Sequence, residues 1–283
     1  MVKVQKQSFS LKQICESGQC FRMRPLGEQK YSVVAWGKYL LLEESQREVI
    51  FYCSPEEYEA VWFDYFDMGT NYENFLQSIP QEDTYLKRAA AFGGGIRILK
   101  QEPWEMIASF IISQQNNIKR IKKSIELICQ KFGEEKTFEN NVYYTFPSAK
   151  ALAQAKEEEL KDCNLGYRSK YILKTAQSIA KKEMDIEALK HMPYLQAKAE
   201  LLKLYGVGEK VADCICLFGL HCLEAFPVDT HIKRVLEQQY QNAFPFSLFA
   251  GYEGVIQQYL FYYDFKKAQQ KSKGAIPFET NDV

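Results

Sequence analysis

No Cys-x-x-Cys pair occurs among the eight cysteines of this chain. That excludes a zinc ribbon and a four-thiolate iron–sulfur cluster, both of which need thiolates at tight spacing. The cysteines stand at 15, 20, 53, 129, 163, 214, 216 and 222, scattered as small buried groups of a reducing compartment would be. Histidine is scarce as well: His191, His221 and His231 show no metal-ligand spacing. Neither a metal nor a cofactor is expected. No apolar run approaches the roughly 18 residues of a membrane span. The N-terminus, Met1-Val-Lys-Val-Gln-Lys-Gln, leads into no long apolar region, so neither a secretion signal nor a membrane partner is expected. The expected location is the cytosol or, in a nucleated cell, the nucleus. Net charge is lacking too, with 36 Lys+Arg against 36 Asp+Glu. Taken alone, that balance argues slightly against a nucleic-acid partner.

What is present is a 283-residue chain, 46% hydrophobic and 25% charged, enough for two or three compact units with a sizeable core. Its charge is unevenly distributed. Lys119, Arg120, Lys122 and Lys123 cluster, and Arg168, Lys170, Lys174, Lys181 and Lys182 form a second basic stretch. A locally basic face on a neutral protein and ordinary solvated helix faces both fit such runs. Residues 8 to about 53 read as strands, with Tyr31–Trp36 and Tyr39–Leu42 meeting at a turn on Gly37-Lys38. A helical stretch is expected at roughly 55–65. The glycine run at 93–95 marks the candidate boundary. Beyond it the pattern is helical almost throughout: 103–112, 118–132, 148–160, 169–182, 195–204, 209–220, 230–239 and 252–267. The expected class is α+β. An N-terminal antiparallel β-sheet domain (1–93) precedes a mostly helical two-lobed body (94–283), whose hairpin lies at about 195–220.

Chemistry concentrates between Tyr205 and His231. The Tyr205-Gly206-Val207-Gly208 turn lets backbone approach backbone. The helix after it exposes unpaired N–H groups at Glu209–Val211, and such an end binds phosphate without reading a base. An ordinary helix–helix turn is the plain alternative. Lys210 lies in the first helical turn, where the helix dipole disfavours a cation. In a dry site that placement helps lower its pKa, and a neutral amine can form a Schiff base. The alternative is a solvent-facing lysine with a phosphate contact. Asp229 precedes Thr-His-Ile-Lys, a helix start, and serves at least as an N-cap. Held near Lys210, its carboxylate could also stabilise positive charge on a deoxyribose ring.

These residues resemble the helix-hairpin-helix DNA glycosylases, and more narrowly the eukaryotic-type 8-oxoguanine DNA glycosylase/lyases. The likeness runs from about residue 8 to 268. It is carried by Ser17-Gly18-Gln19-Cys20-Phe21-Arg22, Gly95 to Pro103, Asn116-Asn-Ile-Lys-Arg120, Leu165-Gly-Tyr-Arg168, Gly208 to Leu217 and the Pro-Val-Asp229 segment. The resemblance implies a bifunctional enzyme acting on double-stranded DNA that contains 8-oxoguanine, preferably opposite cytosine, and working as a monomer. It implies that Lys210 displaces the base at C1′ and supports β-elimination, with Asp229 as the catalytic carboxylate. By the same likeness the Gly18 carbonyl accepts from N7–H of 8-oxoguanine. Phe261 and Cys214 sandwich the base, Gln257 reads its Watson–Crick edge and Phe218 belongs to the pocket wall. Gly206, Gly208, Val211 and His231 are implied to meet phosphate. Tyr167 is implied to wedge into the stack, Gln115 to fill the gap, and Arg120 and Arg168 to contact the unpaired cytosine.

The chain departs from the family at Gln115 for asparagine, Cys20 for serine, Met23 for tryptophan, Phe218 for methionine and Tyr205 for proline. These changes bear on opposite-base selectivity and pocket shape and remove no catalytic group. A monofunctional glycosylase for another damaged base would not need Lys210. A non-catalytic hairpin protein would need neither Lys210 nor Asp229. An adenine- or pyrimidine-specific relative carries a cysteine cluster after its last helix, and residues 271–283 contain no cysteine.

Overall fold

Five antiparallel strands open the fold, in the order β1-β5-β4-β3-β2. They are β1 (Val2–Gln5), β2 (Met23–Pro25), β3 (Lys30–Ala35), β4 (Lys38–Glu44) and β5 (Glu48–Phe51). The structure is a computed structural model and describes residues 1–272, so the last part of the expected helical body lies outside the described residues. Ala35 pairs with Lys38, which puts the β3–β4 turn on Trp36 and Gly37, one residue before the expected place. Both turn residues are left-handed, at φ 52° and 69°, as a two-residue hairpin turn matched to strand twist requires. Tyr31, Val33, Leu40, Leu42, Val49 and Phe51 turn inward and form one core with Phe9, Trp62 and Phe66.

A helix interrupts the segment expected to be all strand. In α1 (Leu11–Glu16) the Ser10 hydroxyl caps the Gln13 N–H, and Leu11, Ile14 and Cys15 are buried. Their i, i+3, i+4 spacing is helical, but one and a half turns are too few to register as a period. The chain continues through α2 (Pro55–Glu57), a π-helical turn (Tyr58–Trp62), α3 (Phe63–Tyr65), α4 (Tyr72–Gln77), α5 (Thr84–Gly93), α6 (Pro103–Ser113) and α7 (Ile118–Phe132). A second hairpin follows, β6 (Glu135–Phe138) with β7 (Asn141–Tyr144), where helix was expected almost throughout. Its Phe138 and Tyr143 pack on Tyr39, at 5.1 and 5.6 Å between ring centres, and so tie the hairpin to the first sheet. Then come α8 (Ala149–Ala153), α9 (Glu157–Lys161), α10 (Arg168–Ala180), α11 (Ile186–Leu189), α12 (Tyr194–Leu201), α13 (Glu209–Gly219), α14 (Thr230–Tyr240) and α15 (Glu253–Ser272).

Helix α6 is buried on every face from Pro103 to Ile112 and forms the centre of the second core. A helix buried on every face belongs inside a bundle. Against it pack α7, α10 and α13, while α5 packs on α15. Asp67 stands where the two cores meet. It is 2% exposed and accepts from Thr70 Oγ1 and Tyr72 Oη at 2.9 Å each. Among the described residues no helix is long and apolar enough to cross a membrane.

Candidate active site

Gly18 follows α1 at φ +77°, a conformation that favours glycine, and a Cβ there would stand 3.4 Å from the Phe261 ring. Its loop is fastened by the next side chain. Gln19 Nε2 donates to Arg97 O at 2.9 Å, Gln19 Oε1 accepts from Leu99 N at 2.9 Å, and Gln101 Nε2 donates to Gln19 O at 2.9 Å. Buried, fully paired amides hold backbone firmly. None of the hydrogen bonds among the described residues uses the Gly18 carbonyl.

The hairpin supplies the second segment. Gly206 turns at φ +87°, and a Cβ there would lie 2.5 Å from the Tyr171 ring, so no other residue fits without displacement. Gly208 caps α13, and Ala212 N makes the first intrahelical bond, to Gly208 O. The amides of Glu209, Lys210 and Val211 are therefore left without helical partners. Half-buried Lys210 extends over the Phe110 ring, with Nζ 5.6 Å from its centre. The sequence favours a lowered lysine pKa here, but the structure reverses this. Cys214 one turn on, together with Asp229, pushes the Lys210 ammonium up from its ordinary value and outweighs burial, which favours the neutral amine. Burial likewise pushes the Cys214 thiol up.

The third segment is Pro227 to His231. Asp229 caps α14 through a 2.9 Å bond from Ile232 N to Oδ1, which fixes its carboxylate. His231 Nδ1 meets Asp264 Oδ2 at 2.8 Å, and Arg234 pairs with the same carboxylate. Burial acts to raise the Asp264 carboxyl, but His231 and Arg234 outweigh it and hold it below the ordinary value.

Helix α15 brings the fourth. Phe261 and Phe265 lie parallel, 5.6 Å between ring centres, with the His231 ring edge-on to both. Gln257 is buried, donates to Pro227 O at 2.9 Å and accepts from Gln258 Nε2 at 3.0 Å, so its amide orientation is set from both ends. These segments enclose an inner cavity of about 60 Å³. It is lined by Ser17, Gly18, Phe110, Lys210, Cys214, Phe218, Pro227, Asp229, Gln257, Gln258 and Phe261. The cavity adjoins a cleft of about 1210 Å³ that also exposes Lys119, Lys122 and His231.

The expected wedge group splits. Gln115 is exposed at φ 47°, and Arg120 is exposed in the first turn of α7. Tyr167 is 50% exposed. Arg168, expected with Arg120 to contact the unpaired cytosine, is buried and bonded to backbone carbonyls. Phe110 is a wall residue that no sequence pattern marks, because every neighbour in α6 is buried too. Its ring stacks on Phe218, 5.5 Å away. Asp264 was also missed, although a lone acid three residues past Phe261 in a helix is a signal that could have found it.

The family described as 8-oxoguanine DNA glycosylase, N-terminal domain, matches residues 1–107. The family described as HhH-GPD superfamily base excision DNA repair protein matches residues 108–243. The N-glycosylase/DNA lyase of Saccharomyces cerevisiae is 30% identical over 271 residues, 84% of this chain and 70% of that one. The probable N-glycosylase/DNA lyase of Methanothermobacter thermautotrophicus is 36% identical over 191 residues, 60% of each chain. One solved structure is the Clostridium acetobutylicum 8-oxoguanine glycosylase/lyase in complex with double-stranded DNA containing cytosine opposite 8-oxoguanine. It superposes with a TM-score of 0.88 at 33% identity, covering 95% of this chain and 99% of that one. Fold and matched regions together define the helix-hairpin-helix class of base-excision repair proteins. Within that class, the chain belongs to the 8-oxoguanine DNA glycosylase/lyase family.

Proposed function

We propose that this protein excises 8-oxoguanine from duplex DNA, preferably opposite cytosine, and then cleaves the strand by β-elimination. The observation that carries the reading is the convergence on one inner cavity of Gly18, Lys210, Cys214, Asp229, Gln257 and Phe261, drawn from four separate segments. The amides after Gly208 grip a phosphate, with Val211 and His231 beside them, and the flipped base enters the cavity. The Gly18 carbonyl accepts the N7–H that 8-oxoguanine has and guanine lacks. Guanine would set an acceptor against an acceptor, a mismatch costing about 1–3 kcal/mol. Gln257 reads the far edge, and Phe261 and Cys214 close on the two faces, with Phe218 behind. Phe261 lies against Gly18 on one side of the cavity.

Chemistry follows from Lys210. Its ammonium gives up one proton, the C1′–N9 bond breaks, and the amine nitrogen bonds C1′ as the base leaves and is protonated. Asp229, fixed by its cap, faces the positive charge that develops on the sugar. Ring opening gives a Schiff base. Loss of the C2′ proton then expels the 3′ phosphate. Tyr167, Gln115, Arg120 and Arg168 serve the opposite strand. A monofunctional glycosylase would leave a lysine at the cavity wall without a task.

The test is a duplex with one 8-oxoguanine opposite cytosine, in which free base and nicked strand are measured together. Wild type yields both. Lys210→Gln yields neither, and Asp229→Asn loses about 10²-fold or more in base release. Base release by Lys210→Gln at the wild-type rate contradicts the nucleophile assignment.

A further inference from the structure

We infer that Gln258 is a positioning residue that locks the Gln257 amide, and that the lock commits the cavity to guanine-type 8-oxopurines over adenine-type ones. The inference deepens the glycosylase reading above and rests on it. Gln257, Gln258 and Phe261 fall on one side of α15, and all three line the inner cavity. Both glutamines are 3% exposed. Gln257 Nε2 donates to Pro227 O at 2.9 Å. A backbone carbonyl only accepts, so the nitrogen of the Gln257 amide has to face it. Gln257 Oε1 is thereby turned the other way and accepts from Gln258 Nε2 at 3.0 Å. Reversing the Gln257 amide would set its oxygen against Pro227 O and its nitrogen against that of Gln258. One carbonyl thus fixes two side-chain amides in sequence.

Packing alone does not explain a glutamine at 258. Its Oε1 is buried without a hydrogen-bond partner among the described residues, and an orphaned buried acceptor is costly. An apolar side chain would fill the same place without that cost. What the glutamine adds is the N–H that holds Gln257. An amide oxygen has two lone pairs, so the held Gln257 Oε1 keeps one for a base. 8-Oxoguanine offers N1–H to such an acceptor. 8-Oxoadenine has a lone pair at N1, and the held oxygen would set acceptor against acceptor. A freely turning amide would present its N–H to that lone pair and accept either base. The Gly18 carbonyl does not separate the two, because both carry N7–H.

Single-turnover excision of 8-oxoguanine and of 8-oxoadenine, each opposite cytosine, tests the lock. The proteins are wild type, Gln258→Leu, Gln257→Leu and the double variant. Wild type is expected to favour 8-oxoguanine. Gln258→Leu is expected to lower the 8-oxoguanine-over-8-oxoadenine ratio about tenfold, the worth of one hydrogen bond. A merely structural loss slows both bases alike, so an unchanged ratio overturns the lock. Gln257→Leu lowers the ratio as well, and the double lowers it no further, since sites acting through one another are not additive. A double loss equal to the product of the singles makes Gln258 a direct base contact and overturns its positioning role. Should Gln258→Leu fail to fold, Gln258→Met decides by the same ratio, because it keeps the length and lacks the N–H. A wild type that excises neither base sinks the glycosylase reading and the lock with it. A wild type that excises both bases equally well sinks the lock alone.

Discussion

At Gly18 a single added carbon would meet both a strained φ of +77° and the Phe261 ring at 3.4 Å. The strain at such a position is worth about 1–3 kcal/mol, and the methyl would crowd a ring that lines the cavity. Gly18→Ala is therefore expected to fold and bind duplex DNA but release 8-oxoguanine at least about tenfold more slowly, the rate cost of roughly 1.4 kcal/mol. Unchanged release speaks against carbonyl recognition. Lys210 carries the second residue-scale prediction. Cys214 is the largest influence raising its pKa. Removing that influence in Cys214→Ala lowers the pKa, so neutral amine appears at lower pH. The rising limb of single-turnover excision against pH is expected to move down in that variant. A limb that stays in place or moves up contradicts the pairing. Sequence named both residues, and for Lys210 it expected a pKa lowered in a dry site, whereas Cys214 and Asp229 outweigh burial and raise it. It weighed the helix dipole and burial without seeing that Cys214, one turn on, would set the balance.

The hairpin is the element whose form was most legible, because its glycines answer a steric demand. Gly206 needs φ +87° and has Tyr171 2.5 Å from where a Cβ would go. Gly206→Ala is expected to cost about 2 kcal/mol of stability and to weaken duplex binding about tenfold by fluorescence anisotropy. Native binding by a folded Gly206→Ala protein contradicts the phosphate grip. Other elements were illegible for physical reasons. Helix α1 is too short to show a period, and its cap at Ser10 reads equally as a loop serine. The β6–β7 hairpin turns through Glu139 at φ 51°, without the glycine that would announce it. Arg168 has the residue type of a DNA contact. Nothing in a one-dimensional pattern shows that its fork bends back onto the carbonyls of 114 and 115.

On the scale of the whole molecule, Asp67 couples the β-rich core to the helical one. Besides Thr70 and Tyr72 it faces His221 Nε2 at 3.3 Å and Lys100 Nζ at 3.5 Å. Burial acts to raise its carboxyl, but His221, Thr70 and Tyr72 outweigh burial and hold it below the ordinary carboxylate value. A carboxyl depressed in the folded state contributes stability above its unfolded pKa of about 3.9, lost as pH falls through the folded value. Resistance to urea unfolding is expected to fall below about pH 4. Asp67→Asn is expected to cost about 3 kcal/mol at pH 7 and to show a shallower loss on acidification. An equal acid dependence in the variant assigns the effect to other carboxyls. The two-core plan was legible from strand alternation followed by apolar helices. The junction was not, since Asp67 and His221 lie far apart in sequence with no shared motif. Gly18 and Lys210 line one inner cavity, and the proposed attack of Lys210 on the sugar takes place there. Borohydride trapping on an 8-oxoguanine:cytosine duplex, followed by mapping of the adducted peptide, tests it most directly. One covalent adduct is expected, on the peptide bearing Lys210 and absent from Lys210→Gln. An adduct on another amine, or base release with no adduct at all, would contradict it.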